Sequence, residues 1–159
     1  MVSQTQATII AALVGLIGGF VAAEISRRQK ADELFFQALN FLGGKTQVRN
    51  LGIAAIELYW KQRRHREVSA LLLVGVAIYL LAESDQTTEE HEKYNLERIV
   101  ALLLSDTRPS ARRAAQYAKL RDILRRPPPQ LAAPVKGVQI DQNQRNTWAI
   151  ALDRLARTR

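Results

Sequence analysis

Near its amino-terminal end the chain reads Ala7-Thr8-Ile9-Ile10-Ala11-Ala12-Leu13-Val14-Gly15-Leu16-Ile17-Gly18-Gly19-Phe20-Val21-Ala22-Ala23, an apolar run with no charged side chain. A helix of this length nearly crosses a hydrocarbon core of about 30 Å. A basic flank, Arg27-Arg28-Gln29-Lys30, follows and favours the cytoplasmic side. The pattern predicts a transmembrane helix over residues 5–25 in the inner (cytoplasmic) membrane, with the amino terminus outside and the remaining chain in the cytoplasm.

A cleaved signal peptide is the main alternative, because Val21-Ala22-Ala23 offers small residues at a cleavage site. A signal peptide also needs a positive segment before its apolar run, and no Lys or Arg precedes Ile9. The basic cluster lies on the other side of the run. We therefore expect an uncleaved anchor.

Small residues recur every four positions along this predicted helix, at Ala7, Ala11, Gly15, Gly19 and Ala23. They form one stripe, and such a stripe lets two helix backbones approach closely in lipid. Gly and Ala are also common in membrane helices that do not associate. We expect the stripe to be a helix-packing surface, so the protein is expected to form a homo-oligomer.

Composition bounds the rest of the chain. Its 159 residues, less the anchor, are enough for one modest domain with a core. There is no Cys, which excludes disulfides and thiolate metal sites. The net charge is +8, and its placement is uneven: residues 1–100 carry 11 basic and 11 acidic side chains, whereas residues 101–159 carry 12 and 4. All of the excess positive charge therefore lies in the carboxyl-terminal part.

Hydrophobic periodicity and helix-ending residues predict an all-α protein with no strand. We expect a cytoplasmic helical domain at 26–126, a proline-rich linker at 127–138 and a carboxyl-terminal helix at 139–159. Within the domain, the predicted helices cover 31–42, 46–61, 69–82, about 89–104 and, after a break with Pro109 in its first turn, about 109–126. A basic turn, 61–66, and an acidic turn, 85–90, separate three of them.

Two of these helices require a choice. In the helix at 46–61, the apolar face is predicted to be Val48, Leu51, Ala55, Leu58 and Tyr59. The helix at 69–82 is very apolar but short for a membrane span. We interpret it as the central helix of the cytoplasmic domain; a second span, which would return the remaining chain to the outside, is the alternative.

An internal similarity bears on the fold. The segment 48–56 can be laid over 93–101 at a shift of 45 residues, and residues 145–152 form an arguable third copy. This spacing falls in the range of HEAT and armadillo repeats, and 48–58 resembles the second helix of such a repeat. Glu97 stands where Gly52 stood in the first copy. The resemblance implies a short helical solenoid that binds partners; a plain helical bundle is equally compatible.

No catalytic motif, cofactor site or metal site is predicted. Gly44-Lys45-Thr46 matches the end of a phosphate-binding loop, but the required first glycine is Leu39, and a helix precedes it instead of a strand. The two histidines, His65 and His91, are not spaced for a shared metal. We expect no enzymatic activity.

The predicted helix at 109–126 carries the remaining functional signal. Its apolar side is Ala114, Tyr117, Leu120 and Leu124, which leaves a basic face outside. We expect that face to contact anionic lipid or phosphate. Few aromatic residues interleave with the arginines, so base stacking has little support. Lipid is favoured over nucleic acid because the anchor already holds the domain near a membrane. A solvated basic face is the alternative. The expected contact residues are Arg112, Arg113, Lys119, Arg121, Arg125 and Arg126.

These observations predict a membrane-tethered helical scaffold or interaction protein that self-associates through its first helix and presents a surface to a cytoplasmic protein partner. The alternative is a homo-oligomeric membrane pore or effector, an architecture found among small proteins of bacterial antiphage systems. The two differ in the expected oligomer, a dimer at most for the scaffold and a larger ring for the pore.

Overall fold

The computed structural model describes residues 4–82, 89–126 and 137–157, with the backbone alone for residues 4–21 and 89. Over these ranges the protein is all-helical and has no strand, which confirms the predicted all-α class. The helices are α1 (Gln4–Leu42), α2 (Thr46–Tyr59), α3 (Arg63–Ala82), α4 (Glu89–Leu104), α5 (Ala111–Arg125) and α6 (Gln142–Arg157). The chain forms two compact units, divided between Gln37 and Ala38.

Helix α1 is continuous over 39 residues, so the helix predicted at 31–42 is not a separate element. It ends at Leu42, as the glycines at 43 and 44 predict. Neither of these glycines has the left-handed backbone that such a glycine often supplies; among the described residues only Gly137 does, with φ 94°. Gly44 is instead needed for close packing, because a Cβ there would lie 2.7 Å from Val48 Cγ1.

The second unit stacks its helices in two rows. Helices α2, α4 and α6 pack in sequence along one row, and α3 packs against α5 in the other. The rows join where α3 meets α4 and where α5 lies along α6. The carboxyl-terminal helix α6 thus packs in the same core as the rest of this unit, to which it contributes Ala149 and Leu152.

Helix α3 is the central helix of this core. Its buried side chains are His65, Ser69, Ala70, Leu73, Val74, Ala77 and Leu80. Among the described side chains, α3 is also the one helix long and apolar enough to cross a membrane, with a mean hydropathy of 1.5 over its best 18-residue window and 44% of that window buried. A helix in the core of a soluble domain can be as long and as apolar as a membrane span. The buried residues of α3 show that it packs in the core of this unit.

The face of α2 that enters the core is not the predicted one. The structure buries Gly52, Ile53 and Ile56, together with Arg49. The predicted apolar face instead points outward: Val48, Leu51 and Leu58 are 39%, 63% and 79% exposed. Gly52 explains why this face of α2 is the buried one. A Cβ there would lie 2.9 Å from the Leu42 nitrogen, so the glycine allows the end of α1 to pack closely against α2.

The internal repeat is visible in the burial pattern, but in a different register. At the 45-residue shift, exposed Leu51 corresponds to fully buried Leu96. A shift of 43 matches buried positions instead: Arg49, Gly52, Ile53, Ile56 and Trp60 correspond to Glu92, Asn95, Leu96, Ile99 and Leu103. Because two residues turn a helix by about 200°, the 45-residue register compares opposite faces.

Of the helices α2 to α6, three begin at residues other than the predicted ones. Helix α3 begins at Arg63, so most of the expected basic turn at 61–66 is helical. Pro109 lies before α5 and not in its first turn, since Ser110 is the N-cap and its Oγ accepts from the Arg113 backbone N–H at 3.2 Å. Helix α6 begins at Gln142, where Asp141 Oδ1 accepts two backbone N–H groups.

Two predicted connections lie mostly outside the described residues. These are the acidic turn, of which 85–88 are outside, and the proline-rich linker, of which 127–136 are outside. The end of the linker is described and packs on α3: the Val138 N–H donates to the Leu80 carbonyl at 2.8 Å, and Val138 is buried.

Candidate functional site: an apolar seam and a basic cleft

The exposed side of α2 carries an apolar seam, by which we mean Val48, Leu51, Ala55 and Leu58. Ala55 is half-buried and the other three are exposed. The spacing of three, four and three residues places them at successive a and d positions of two heptads. Helix α2 is therefore apolar on two opposite sides, whereas a surface helix ordinarily has a single apolar face.

A buried ion pair fixes which side of α2 faces outward. Arg49 pairs with Glu92 of α4, and their side chains are 8% and 4% exposed. Arg49 Nε and Nη2 also donate to the Leu42 and Gly44 carbonyls at 3.2 and 3.1 Å. Thr46 Oγ1 donates to Glu92 at 2.9 Å. Rotating α2 to bury the seam would expose this pair and leave the carbonyls at the end of α1 without their donor.

A second polar contact between α2 and α4 lies further along α2. Arg98 of α4 donates to both carboxylate oxygens of Glu57, at 3.1 and 2.6 Å, and to Asn50. Because Arg98 forms a forked pair with Glu57, its geometry is well defined. Both contacts hold α2 against α4 on the side away from the seam.

The structure divides the six predicted phosphate-contact residues among different environments. Arg112, Lys119, Arg125 and Arg126 are exposed, whereas Arg113 and Arg121 are half-buried. Arg121 donates to Asp153 of α6 at 2.6 Å and to Asp122 at 2.9 Å. The hydrogen bond from Arg121 lowers the pKa of Asp153. Part of the predicted basic face therefore joins α5 to α6, and its charge is partly neutralised.

Arg113 holds a polar cluster at the start of α5. Its Nε donates to Asp106 at 2.7 Å, its Nη1 to Glu67 at 2.8 Å and its Nη2 to the Arg108 carbonyl at 2.9 Å. Burial lowers the pKa of Arg113, but the hydrogen bonds to Asp106 and Glu67 outweigh it and raise the pKa overall. Tyr117 also donates to Asp106, at 2.8 Å. Burial and this carboxylate raise the pKa of Tyr117.

Beside this cluster lies a basic cleft of about 430 Å³. It is formed by the start of α3 and the α4–α5 loop, and its lining residues are Arg63, Arg66, Thr107, Arg108, Pro109, Ser110 and Arg113. Arg66 is held in place by the Trp60 carbonyl at 2.8 Å and lies 3.8 Å from Asp106. Sequence reasoning missed this cleft because its arginines come from two distant segments, although Arg63 and Arg66 stood in the expected basic turn.

The remaining features predicted from the sequence are the two histidines and the small-residue stripe. His65 is buried in α3, with its ring 5.5 Å from that of Tyr59, and His91 is exposed on α4. Within the described ranges, His, Asp and Glu side chains do not cluster as metal ligands. Of the small-residue stripe, all five positions lie on α1, but Ala7, Ala11, Gly15 and Gly19 fall among the residues given by backbone alone.

No protein-family model, curated protein or solved structure matches the chain.

Proposed function

We propose that the protein is a membrane-anchored helical interaction protein that self-associates. The single observation that carries the proposal is the apolar seam of α2, exposed along two heptads. A monomer gains nothing from exposing Leu51 and Leu58, whereas a partner that covers them removes that apolar surface from water.

The occupant we propose for the seam is a second copy of the chain. Val48 and Ala55 occupy heptad position a, and Leu51 and Leu58 occupy heptad position d. Of the two a residues only Val48 is β-branched, and a β-branched residue at a with Leu at d favours two-stranded parallel pairing. In such a pair the same seam of both copies forms the interface, which is the arrangement around a two-fold axis.

The expected anchor supports the same arrangement. The uncharged run at 7–23 lies on α1, whose 39 residues extend about 58 Å, longer than the hydrocarbon core. Two heptads are too short to form a stable dimer alone. Copies confined to one membrane and paired through Gly15 and Gly19 meet at a high effective concentration, which makes a short seam sufficient.

The two rows of helices support a binding role in place of a chemical one. The repeated burial pattern of α2 and α4 is the arrangement expected of a short α-repeat, in which each helix buries one face against the next. We propose that the second unit is such a repeat domain, on the cytoplasmic side of the inner membrane.

The test compares two double variants by native mass in mild detergent. Leu51→Ser with Leu58→Ser removes the seam and should convert the dimer to a monomer. Tyr94→Ser with Ile150→Ser removes side chains of similar exposure, 54% and 52%, from other helices and should leave the dimer intact. A dimer that survives the seam variant, or a parent that forms a larger ring, contradicts the proposed interface.

The placement of the domain has a separate test. The chain has no Cys, so Gln62→Cys introduces a unique thiol at an exposed position between α2 and α3. A membrane-impermeant maleimide should label it only after the cytoplasmic side is opened. Labelling in intact cells contradicts the orientation, and recovery of a chain beginning at Glu24 shows a cleaved signal peptide.

A further inference from the structure

We propose that the basic cleft between the start of α3 and the α4–α5 loop binds a phosphate group. The cleft presents four arginines and two hydroxyl residues around a space of about 430 Å³. The inference concerns a different surface from the seam of α2 and does not rest on self-association.

The charge of the cleft is in excess of what its acidic neighbours neutralise. Two carboxylates, Glu67 and Asp106, pair with Arg113, and Arg66 lies 3.8 Å from Asp106. Within the described part of the chain, the side chains of Arg63 and Arg108 have no such partner, and both are exposed. A net charge of two positive units is left for a ligand, which suits the charge of a phosphate monoester.

The arginines divide into a fixed pair and a free pair. Arg66 and Arg113 are held by backbone carbonyls and carboxylates, and Arg66 also lies over the Trp60 ring at 5.8 Å. Their remaining N–H groups are therefore oriented before any ligand arrives, which reduces the entropy lost on binding. Arg63 and Arg108 stand at the rim, where they can fold over an anion and form forked hydrogen bonds.

The backbone also contributes positive electrostatic potential to the cleft. Two helices begin at this cleft: α3 at Arg63 and α5 immediately after Ser110. Their first N–H groups and dipoles favour negative charge at this point. The Thr107 hydroxyl is exposed on the connecting loop and can donate as well. Arginine side chains, the Thr107 hydroxyl and two helix amino-terminal ends thus line one space, whereas the Ser110 hydroxyl already donates to Glu67 at 3.0 Å.

A phosphate group fits this arrangement better than a nucleic-acid strand does. The lining residues include no aromatic side chain on which a base could stack. The cleft is also local, whereas a strand requires a basic track of several phosphates. The group recognised is therefore a single phosphate, carried either by a free small molecule or by a lipid headgroup.

The experiment uses the full chain in mild detergent at constant ionic strength, with potassium chloride as the salt control. Two probes distinguish the sources: inorganic phosphate and a short-chain phosphatidic acid below its micelle concentration. Isothermal titration should show one site for the phosphate group. Arg63→Gln with Arg108→Gln should weaken binding by about tenfold or more, because two charge-assisted contacts are lost.

Lys119→Gln with Arg126→Gln is the matched control, since it removes one exposed charge on α5 and one directly after α5, both outside the cleft. It should change the affinity less than about twofold. Binding of both probes indicates a general phosphate site, and binding of the lipid alone indicates a headgroup site. Equal losses in the two double variants, a larger loss in the control, or no binding of either probe to a parent chain with its native circular dichroism overturns the proposal.

Discussion

Arg49 and Arg145 close the carboxyl ends of two different helices in the same way. Arg49 donates to the Leu42 and Gly44 carbonyls at the end of α1. Arg145 donates to three carbonyls at the end of α5, those of Ile123, Leu124 and Arg126, each at 3.2 Å. The last carbonyls of a helix have no partner within it, so each arginine supplies donors that the helix lacks.

The two arginines differ in their counter-charge, and this difference gives the first prediction. Arg49 is paired with Glu92, whereas the partners of Arg145 among the described residues are carbonyl groups, and burial lowers the pKa of Arg145. Arg49→Met leaves Glu92 buried without its counter-ion and should cost about 3–5 kcal/mol of unfolding free energy. Arg145→Met removes only hydrogen bonds and should cost about 1–3 kcal/mol. Urea denaturation followed by circular dichroism measures both.

A double variant controls for the loss of the arginine itself. Arg49→Met with Glu92→Gln removes both charges and should recover part of the stability that Arg49→Met loses. If Arg145→Met is the more harmful of the two single variants, the counter-charge of Arg49 is not what makes it costly.

Helix α3 gives the second prediction. Leu73 is fully buried in the core, and Leu71, two positions away, is 39% exposed and lines an open groove with Leu72 and Val76. Leu73→Asp should destabilise the protein by about 4 kcal/mol or more, because it removes a packed side chain and buries a carboxylate. Leu71→Asp should cost less than about 1 kcal/mol. Equal losses in thermal unfolding would show that the groove side of α3 is also covered.

Much of the fold follows from the sequence, because periodicity reports which segments are helical. Tyr117, Leu120 and Leu124, which belong to the apolar side predicted for α5, are buried, and α4 buries Leu96, Ile99, Val100 and Leu103 at the same helical spacing. Each of these helices has one apolar face, so its pattern determines its orientation. Where a helix has one apolar face, the sequence predicts the packing.

Helix α2 shows where this reasoning fails. Its apolar residues form two faces, and periodicity cannot rank one above the other. The choice depends on Gly52, which admits the end of α1, and on the pairing of Arg49 with Glu92 across 43 residues. Both are tertiary contacts. The basic cleft was missed for the same reason, since the segments carrying Arg63 and Arg108 meet only in the folded chain.

The cluster at Asp106 gives the third prediction, which concerns alkaline pH. Burial and Asp106 raise the pKa of Tyr117 in the folded protein, while the unfolded chain has the ordinary tyrosine pKa of about 10. Protonated Tyr117 therefore contributes stability to the folded protein. This contribution is complete below about pH 10 and is lost as the pH rises above that value, because Tyr117 of the unfolded chain then ionises while the folded one stays protonated. The free energy of unfolding should therefore fall above about pH 10.

Tyr117→Phe provides the control, since phenylalanine does not titrate. This variant should be less stable near neutral pH, where the hydrogen bond to Asp106 is lost, and should show a shallower decline at alkaline pH. A decline as steep as that of the parent would assign the alkaline loss to groups other than Tyr117.

The small-residue stripe of α1 gives the last prediction. Gly15 and Gly19 are the stripe positions without a Cβ, so two helices come closest there. Replacing both by Ile adds bulk to this side, keeps the segment apolar and should preserve insertion while separating the helices. Leu13→Val with Ile17→Val alters the other side with little change in bulk. Crosslinking in membranes should show loss of the dimer only in the glycine variant.

If both variants remain dimeric while the seam variant Leu51→Ser with Leu58→Ser is monomeric, α2 alone drives self-association and α1 is only a tether. If the glycine variant is monomeric with its seam intact, the seam is too short to pair without the anchor, as expected for two heptads.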